Sequence, residues 1–332
     1  MEPISFIKKR IPFFSPRKIL ESGQIFRMYR EDCRTAGLTN SDFSGDFTQE
    51  TSPVFRIHST DKILLICPSS GNSGLASDNL SAALGEEYLL SCTEGEWNCF
   101  WKNYFDCGTD YPALFASVPA SDRFAKAAAA DSYGIRVLNQ DLFEMMISFI
   151  ISQQKRIPEI RKCIEALSSR FGEKITFGGK TYHAFPTAES IAAAGPFGVC
   201  GLSLGYRERY VYETAVRYAS DTFLNSPAFR SLSYEEAKKY LKGYCGIGEK
   251  VANCICLFAL GFKDAFPIDV HIKDILHREY GVGGPDYRKL PDSVMSGAAS
   301  DIFSYASGCK GILQQWIFAY ELKQHDIVSQ GK

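Results

Sequence analysis

The pattern of apolar and polar residues changes about a third of the way along the chain. Residues 53–58 alternate apolar and polar side chains, and residues 62–67 form a short apolar run, so both segments are predicted to be strands. From about Glu94 onward, apolar residues recur at helical spacing. These patterns predict an α+β fold. An N-terminal antiparallel sheet domain, residues 1–108, precedes a two-lobed all-α body, residues 109–332.

Local signals predict where several helices begin or end. The aromatic residues of segment 95–106 are spaced as on one helix. Ser233 followed by Glu236 is a capping box, and Pro158 suits the first turn of a helix because its missing N–H costs little there. Gly261 is predicted to close the helix that begins near residue 249.

Composition and charge exclude some classes of protein. The chain has 332 residues and a formal net charge of -1, which argues against nucleic-acid binding by bulk charge alone. A local phosphate site needs only a few donors and is still possible. No apolar run approaches the roughly 20 residues that cross a bilayer, and residues 1–20 lack the pattern of a signal peptide. We therefore expect no membrane association.

Cysteine usage bears on compartment and metal binding. The chain has 11 cysteines without a tight framework, which favours reduced thiols in an intracellular protein. Its compartment would be the cytoplasm or nucleoid of a bacterium, or the nucleus of a eukaryote. Only Cys254 and Cys256 come close to a metal-ligand spacing, and no second pair supports them. We expect neither a metal nor another cofactor.

The most informative segment, residues 241–260, predicts a helix-hairpin-helix that spans about residues 233–261. One helix ends near Leu241, a glycine-containing turn follows, and an apolar helix begins after it. Glycines at 246 and 248 let the backbone approach a ligand closely, and the new helix directs its free N–H groups outward. The amides of Gly246, Gly248 and Val251 are therefore candidate donors to a phosphate. An ordinary helix–turn–helix corner is the alternative interpretation of this segment.

A lysine and an aspartate give this segment candidate chemistry. Lys250 lies in the first turn of a helix, where a cation is disfavoured by about 0.3–1 kcal/mol. The helix dipole and partial burial are predicted to depress its pKa and so favour a nucleophilic amine. Cys254 follows one turn later on the same face. Asp269 precedes the predicted helix 270–280 as an N-cap, and it could also stabilise positive charge if it faces the lysine.

These residues resemble a known family. The segment Gly-Ile-Gly-Glu-Lys-Val-Ala, followed by Pro-Ile-Asp-Val-His, is similar to the signature of the helix-hairpin-helix (HhH-GPD) DNA glycosylases, and in particular to the bifunctional 8-oxoguanine DNA glycosylases. Further matching segments occur in the expected order along the chain: residues 22–27, 148–154, 204–211 and 314–322.

The resemblance implies a mechanism and a base pocket. Lys250 would attack the sugar and form a Schiff base that permits β-elimination, with Asp269 stabilising the developing positive charge. The backbone carbonyl of Gly23 would accept the N7 proton that 8-oxoguanine has and guanine lacks. The remaining pocket residues implied by the resemblance are Gln314 at the Watson–Crick edge, Phe318 stacked on the ring, Cys254 on the opposite face, and Phe149.

The resemblance also implies DNA contacts, and one of them departs from the family. Tyr206 would wedge into the gap left by a flipped nucleotide, and His271 would contact a phosphate. The family holds the opposite cytosine with an asparagine and two arginines, but the matching positions here are Gln154, Glu159 and Arg207. Only the arginine keeps its type. We therefore predict relaxed discrimination of the base opposite the lesion.

Two alternatives remain open at this point. A related glycosylase for another damaged purine would share the fold, although Gln314 and Gly23 argue against an alkylbase pocket. A non-catalytic DNA-binding helix-hairpin-helix module would need neither the lysine nor the aspartate. Relatives with a four-cysteine cluster are disfavoured, because only Cys309 follows Cys256. In every case the expected partner is double-stranded DNA, in the first two DNA containing a damaged purine, and the expected state is a monomer.

Overall fold

A computed structural model describes residues 4–32, 53–69 and 86–330. The strands are β1 (Ile7–Ile11), β2 (Met28–Glu31), β3 (Val54–Ser59), β4 (Lys62–Pro68), β5 (Glu86–Leu90), β6 (Lys174–Phe177) and β7 (Lys180–His183). The α-helices are α1 (Pro16–Glu21), α2 (Glu94–Glu96), α3 (Lys102–Tyr104), α4 (Tyr111–Ser117), α5 (Arg123–Asp131), α6 (Leu142–Ser152), α7 (Ile157–Phe171), α8 (Ala188–Ala193), α9 (Arg207–Ser220), α10 (Pro227–Arg230), α11 (Tyr234–Leu241), α12 (Glu249–Phe258), α13 (Val270–Tyr280), α14 (Asp292–Ile302) and α15 (Lys310–Gln330). A π-helical segment covers Trp97–Trp101, and short 3₁₀ helices cover Tyr287–Lys289 and Ser304–Ala306.

The chain divides into two compact units that alternate along the sequence. The first comprises Met1–Thr109 and Gly134–Ala219, and the second comprises Asp110–Tyr133 and Ser220–Lys332. The predicted fold class, an antiparallel sheet followed by a helical body, is confirmed. The domain boundary at residue 108 stays a prediction.

The first unit is organised around a five-stranded antiparallel sheet in the order β1-β5-β4-β3-β2. The strands predicted at 53–58 and 62–67 are confirmed as β3 and β4, which pair with Ile57 opposite Leu64. Strand β4 is buried along nearly its whole length, which explains why its apolar run does not alternate. Aromatic residues of the next helical segment complete the core, with Trp101 fully buried beneath the sheet residues.

The helical part of this unit departs from the sequence predictions in two details. The predicted aromatic helix over 95–106 forms, but its centre, Trp97–Trp101, is π-helical. A two-stranded hairpin, β6–β7, lies within the body and was not predicted. Its turn is Gly178-Gly179, and both glycines have a positive φ, as a tight hairpin turn of this kind requires.

The second unit is helical within its described residues and contains the predicted helix-hairpin-helix, formed by α11 and α12. The Ser233 hydroxyl and the Glu236 carboxylate cap helix α11 reciprocally, which confirms the capping box. Helix α12 ends at Phe258 rather than at Gly261, which lies beyond it with a φ of 73°. Along the described ranges, none of the helices is long and apolar enough to cross a membrane.

Candidate active site

The helix-hairpin-helix of α11 and α12 forms the framework of the candidate site. Glu249 in the first turn of α12 pairs with Lys242 at 2.6 Å and with Lys238 at 3.2 Å, so a carboxylate links the two helices across the turn. The hydroxyls of Tyr240 and Tyr244 both donate to Asp221. Ion pairs and hydrogen bonds on both sides therefore hold the turn in place.

The glycines of the turn leave backbone open for a ligand. Gly246 has a φ of 78°, a conformation that side-chain-bearing residues rarely adopt. Gly248 is the N-cap of α12, and a Cβ placed on it would meet no described atom within 4 Å. Packing inside the protein therefore does not require a glycine at 248, whereas close approach of a phosphate would. Val251 follows in the first turn of α12 with its side chain buried.

Lys250 and Asp269 meet at the start of helix α12. The Lys250 Nζ lies 3.3 Å from the Asp269 Oδ2, although the two residues are 19 positions apart. The other carboxylate oxygen, Oδ1, accepts from the Ile272 backbone N–H at 3.0 Å and caps helix α13. The lysine side chain is 51% exposed and the aspartate side chain 12% exposed. One carboxylate thus caps a helix and also faces an accessible amine.

The predicted depression of the Lys250 pKa is wrong for the free protein. Desolvation lowers this pKa, but the Asp269 charge and its hydrogen bond raise it, and Asp292 adds to the rise. The net result is a pKa above the ordinary value for lysine. The prediction considered only the local helix dipole and burial, whereas the dominant partner is brought in by the fold. The resting amine is therefore a cation paired with a carboxylate.

Cys254 lies one turn beyond the lysine on α12 and is buried. Burial raises the pKa of its thiol to about 12, while the charge of Lys250 opposes that rise. The thiol therefore stays neutral and forms a polarizable apolar surface rather than a nucleophile. Among the described residues, no group of three or more His, Cys, Asp or Glu side chains is arranged to hold a metal ion.

Helix α15 and helix α13 supply the other candidate residues of the second unit. Gln314 is 4% exposed, and its Nε2 donates to the backbone carbonyl of Pro267 at 3.2 Å. Its Oε1 is buried without a hydrogen-bond partner in the described part of the chain. Phe318, four residues later on the same helix, is half-buried, and its ring lies 6.2 Å from the ring of His271.

Gly23 and Phe149 belong to the first unit. Gly23 follows helix α1 with a φ of 79°, and it is half-buried. Phe149 is buried on α6, and its ring makes an edge-to-face contact with Phe26 at 5.8 Å. Gly23 therefore has the backbone geometry that the predicted turn requires, and Phe149 packs against Phe26, which lies between that turn and β2.

Three residues predicted to contact DNA at or near the opposite base lie in the first unit: Gln154 in the α6–α7 connection, and Tyr206 and Arg207 at the start of α9. Gln154, just beyond α6, is exposed and has a φ of 52°, unusual for a residue other than glycine. Tyr206 is 51% exposed, as a wedge residue would be. Arg207 is buried, and it donates to the carbonyls of Leu204 and Gln153. The bond to Gln153 joins the start of α9 to the α6–α7 connection, and the guanidinium also lies 4.3 Å from the Tyr206 ring.

Glu159 has a local partner of its own. Its carboxylate accepts from the Arg156 backbone N–H at 3.3 Å at the start of α7. The residue is exposed, so the same carboxylate faces solvent. A helix-capping glutamate thus occupies a position where the resembled family carries an arginine.

Comparison with known families covers most of the chain. Residues 6–146 match the family described as 8-oxoguanine DNA glycosylase, N-terminal domain. Residues 147–298 match the HhH-GPD superfamily base excision DNA repair proteins. The chain belongs to the 8-oxoguanine DNA glycosylase family of this superfamily.

Individual relatives agree with this membership. The chain is 35% identical over 193 residues to the N-glycosylase/DNA lyase of Saccharomyces cerevisiae, which is 54% of this chain and 50% of that protein. It is 30% identical over 246 residues to the N-glycosylase/DNA lyase OGG1 of Arabidopsis thaliana, 72% of this chain and 66% of that protein. The chain thus spans between half and two thirds of the length of these curated relatives.

A solved structure matches along nearly the whole chain. The Clostridium acetobutylicum 8-oxoguanine glycosylase/lyase, in complex with double-stranded DNA containing cytosine opposite 8-oxoG, is 25% identical with a TM-score of 0.77. The match covers 98% of this chain and 100% of that one. The fold of the described residues therefore resembles that of this bacterial protein.

Sequence reasoning missed some residues that shape this glycosylase-family site. Asp292 contributes to the charge environment of Lys250 from a helix that starts 42 positions later, and no local pattern marks it. The backbone carbonyl of Pro267 accepts from the Gln314 amide and so orients it. The Pro-Ile-Asp sequence indicates a role for its aspartate but none for its proline.

Proposed function

We propose that this chain is a bifunctional DNA glycosylase and AP lyase that excises 8-oxoguanine from duplex DNA after flipping the damaged nucleotide. The observation that carries the proposal is the 3.3 Å pair between Lys250 and Asp269 at the first turn of the hairpin's second helix. A DNA-binding module without chemistry needs no amine there, where the helix dipole disfavours a cation. The phosphate backbone beside the lesion would bind at the amides of Gly246, Gly248 and Val251, with His271 as a further contact.

The proposed reaction begins with loss of the lysine proton. Neutral Lys250 Nζ attacks the anomeric carbon as the bond to the base breaks, and the bonding electron pair leaves with the base. Asp269 stabilises the positive charge that develops on the sugar. Loss of the second amine proton and opening of the sugar ring, with a proton taken up by O4′, give a Schiff base. Removal of a proton from C2′ then expels the 3′-phosphate and breaks the bond between C3′ and its oxygen. Because the resting amine is protonated, its proton passes first to Asp269 and from there to solvent, which restores the carboxylate before the attack.

Base recognition in the proposal uses groups that the fold leaves available. The buried Gln314 Oε1 lacks a partner within the described residues, and an amide there can meet the Watson–Crick edge of a purine. Phe318 stacks on the base and Cys254 covers its other face. The Gly23 carbonyl accepts the N7 proton of the lesion. Guanine would leave that acceptor unpaired, at a cost of about 1–3 kcal/mol.

Opposite-base discrimination is proposed to be relaxed. Gln154 can hydrogen-bond a base edge, but the Glu159 carboxylate repels phosphate where the family has a cation. Arg207 donates to two backbone carbonyls, so its guanidinium is at least partly engaged within the protein. Tyr206 is proposed to fill the gap left by the flipped nucleotide.

A panel of defined duplexes tests the proposal. Each carries one lesion, either 8-oxoguanine, an alkylated purine or an abasic site, and released base and strand cleavage are measured separately under single-turnover conditions. We expect 8-oxoguanine release followed by strand cleavage, with both lost in Lys250→Gln. The matched control, Lys239→Gln on the first helix of the same hairpin, is expected to retain both. Release of alkylated purines alone, or no reaction with any lesion, would contradict the proposal.

A further inference from the structure

The turn that carries Gly23 is held by a buried amide. Gln24 is 1% exposed, and its Nε2 donates to the Ser22 hydroxyl at 3.0 Å and to the Arg136 backbone carbonyl at 2.9 Å. Its Oε1 accepts from the Leu138 backbone N–H at 2.9 Å. Both ends of one side chain thus bridge the turn to a backbone segment more than 110 positions later.

The side chain of a second glutamine binds the backbone of Gln24. The buried Gln140 Nε2 donates to the backbone carbonyl of Gln24 at 2.9 Å. The neighbouring carbonyl, that of Gly23, accepts no hydrogen bond from the described part of the chain. The Gly23 carbonyl is therefore available to a ligand, whereas the next carbonyl, that of Gln24, is held by Gln140. Orientation of the available carbonyl depends on the bonds made by the residue after it.

The segment that receives these bonds is itself anchored. Arg136 is 3% exposed, and its guanidinium donates to the carbonyl of Asp106 at 2.8 Å and to that of Pro12 at 3.1 Å. The Gln24 amide is thus bonded to backbone that is tied at two further points of the same unit. A buried polar network with each bond made is rigid and defines one arrangement.

We infer that Gln24 is a positioning residue for lesion specificity, which holds the Gly23 carbonyl where it tests N7 of the flipped purine. This inference rests on the proposed function, since it gives a supporting residue to the carbonyl proposed to recognise the lesion. A donor–acceptor pair that reads a single proton must be placed closely, because hydrogen bonds weaken steeply when bent. Three hydrogen bonds from one buried side chain provide that placement.

The test compares base excision with strand cleavage at a preformed abasic site. An abasic site has no purine, so its cleavage needs Lys250 but not the Gly23 carbonyl. In Gln24→Met, which keeps size and removes the hydrogen bonds, we expect 8-oxoguanine release to fall about tenfold to a hundredfold. Cleavage at the abasic site is expected to stay within about twofold of wild type, since the amine is untouched.

Two further variants keep the test decisive. Gln140→Met removes only the bond to the Gln24 carbonyl, and it is expected to shift the ratio of the two activities in the same direction by less. Ser91→Ala removes a buried hydrogen bond to Leu65 in the sheet of the same unit, and it is expected to leave the ratio unchanged. A parallel fall of both activities in Gln24→Met and Gln140→Met, or an equal change in Ser91→Ala, would overturn the inference. Failure of the wild-type protein to release 8-oxoguanine would instead refute the proposed function.

Discussion

Asp269 both caps a helix and faces the lysine, and the two roles can be separated by mutation. Its Oδ1 caps α13 through the Ile272 N–H at 3.0 Å, and its Oδ2 faces the Lys250 Nζ at 3.3 Å. In Asp269→Asn the side-chain oxygen can still cap the helix, but the negative charge is gone. In Asp269→Ala both the cap and the charge are lost. The difference between the two variants therefore measures the effect of the cap, and the loss that both variants show measures the effect of the charge.

The magnitudes follow from the geometry. Two unit charges 3.3 Å apart attract by about 1.3 kcal/mol in a water-like dielectric, the appropriate limit for a half-exposed amine. An exposed ion pair makes a net contribution of at most about 1 kcal/mol to the free energy of unfolding, so Asp269→Asn is expected to cost no more than that. Asp269→Ala adds loss of the cap, about 0.5–2 kcal/mol. Activity depends on charge instead, and both variants are expected to lose about a hundredfold to a thousandfold in the chemical step.

Urea unfolding and single-turnover excision of 8-oxoguanine measure the two roles separately. The matched control is Asp110→Ala, which removes a similar cap at the start of α4, where the aspartate accepts from the Ala113 N–H at 3.0 Å. We expect it to lose stability as Asp269→Ala does and to keep its activity. The carboxylate charge has no role in the chemical step if Asp269→Asn excises 8-oxoguanine within about threefold of wild type, or if Asp110→Ala loses as much activity as Asp269→Ala.

Single-turnover excision should proceed at comparable rates with C, T, G or A opposite the lesion, and a steep preference for C in such a panel would contradict relaxed pairing. The Asp269 carboxylate raises the pKa of Lys250, so Asp269→Asn should lower that pKa. Reductive methylation of Lys250, followed by mass spectrometry, should then begin at a lower pH than in wild type. An unchanged or higher onset would show that Asp269 does not raise the pKa of the lysine. Gly311→Ala should destabilise the protein, because a Cβ there would lie 2.3 Å from a backbone oxygen. Gly297→Ala, in a helix and with no atom within 4 Å of the added Cβ, should stabilise the protein by about 0.5–1 kcal/mol. Thermal unfolding that ranks the two variants the other way would show that the backbone at Gly311 relaxes.

The parts of the fold that depend on neighbouring residues were predictable from the sequence. The capping box at Ser233, the glycine turn and the N-cap at Asp269 are each decided within a few positions, and the structure confirms the caps. The pair between Lys250 and Asp269 could be anticipated because both residues carried a local signal. The 3.3 Å distance itself comes from the packing of two helices.

Features that depend on distant partners were not predictable. The raised pKa of Lys250 reflects a carboxylate 19 positions away and another 42 positions away, which a helix-dipole argument does not include. The bonds from Gln24 join backbone more than 110 positions apart, so no periodicity marks them. The β6–β7 hairpin differs, because Gly178-Gly179 between two short strands was a usable turn signal. Its strands are only partly buried, which made their apolar pattern weak.

Borohydride reduction during reaction with duplex DNA containing 8-oxoguanine shows whether Lys250 is the nucleophile. Reduction converts a Schiff base into a stable covalent bond, and peptide mass spectrometry then locates the attached residue. We expect a protein–DNA adduct carried by Lys250, absent in Lys250→Gln and retained in Lys239→Gln. An adduct that maps to another amine, or that persists in Lys250→Gln, would contradict this role of Lys250.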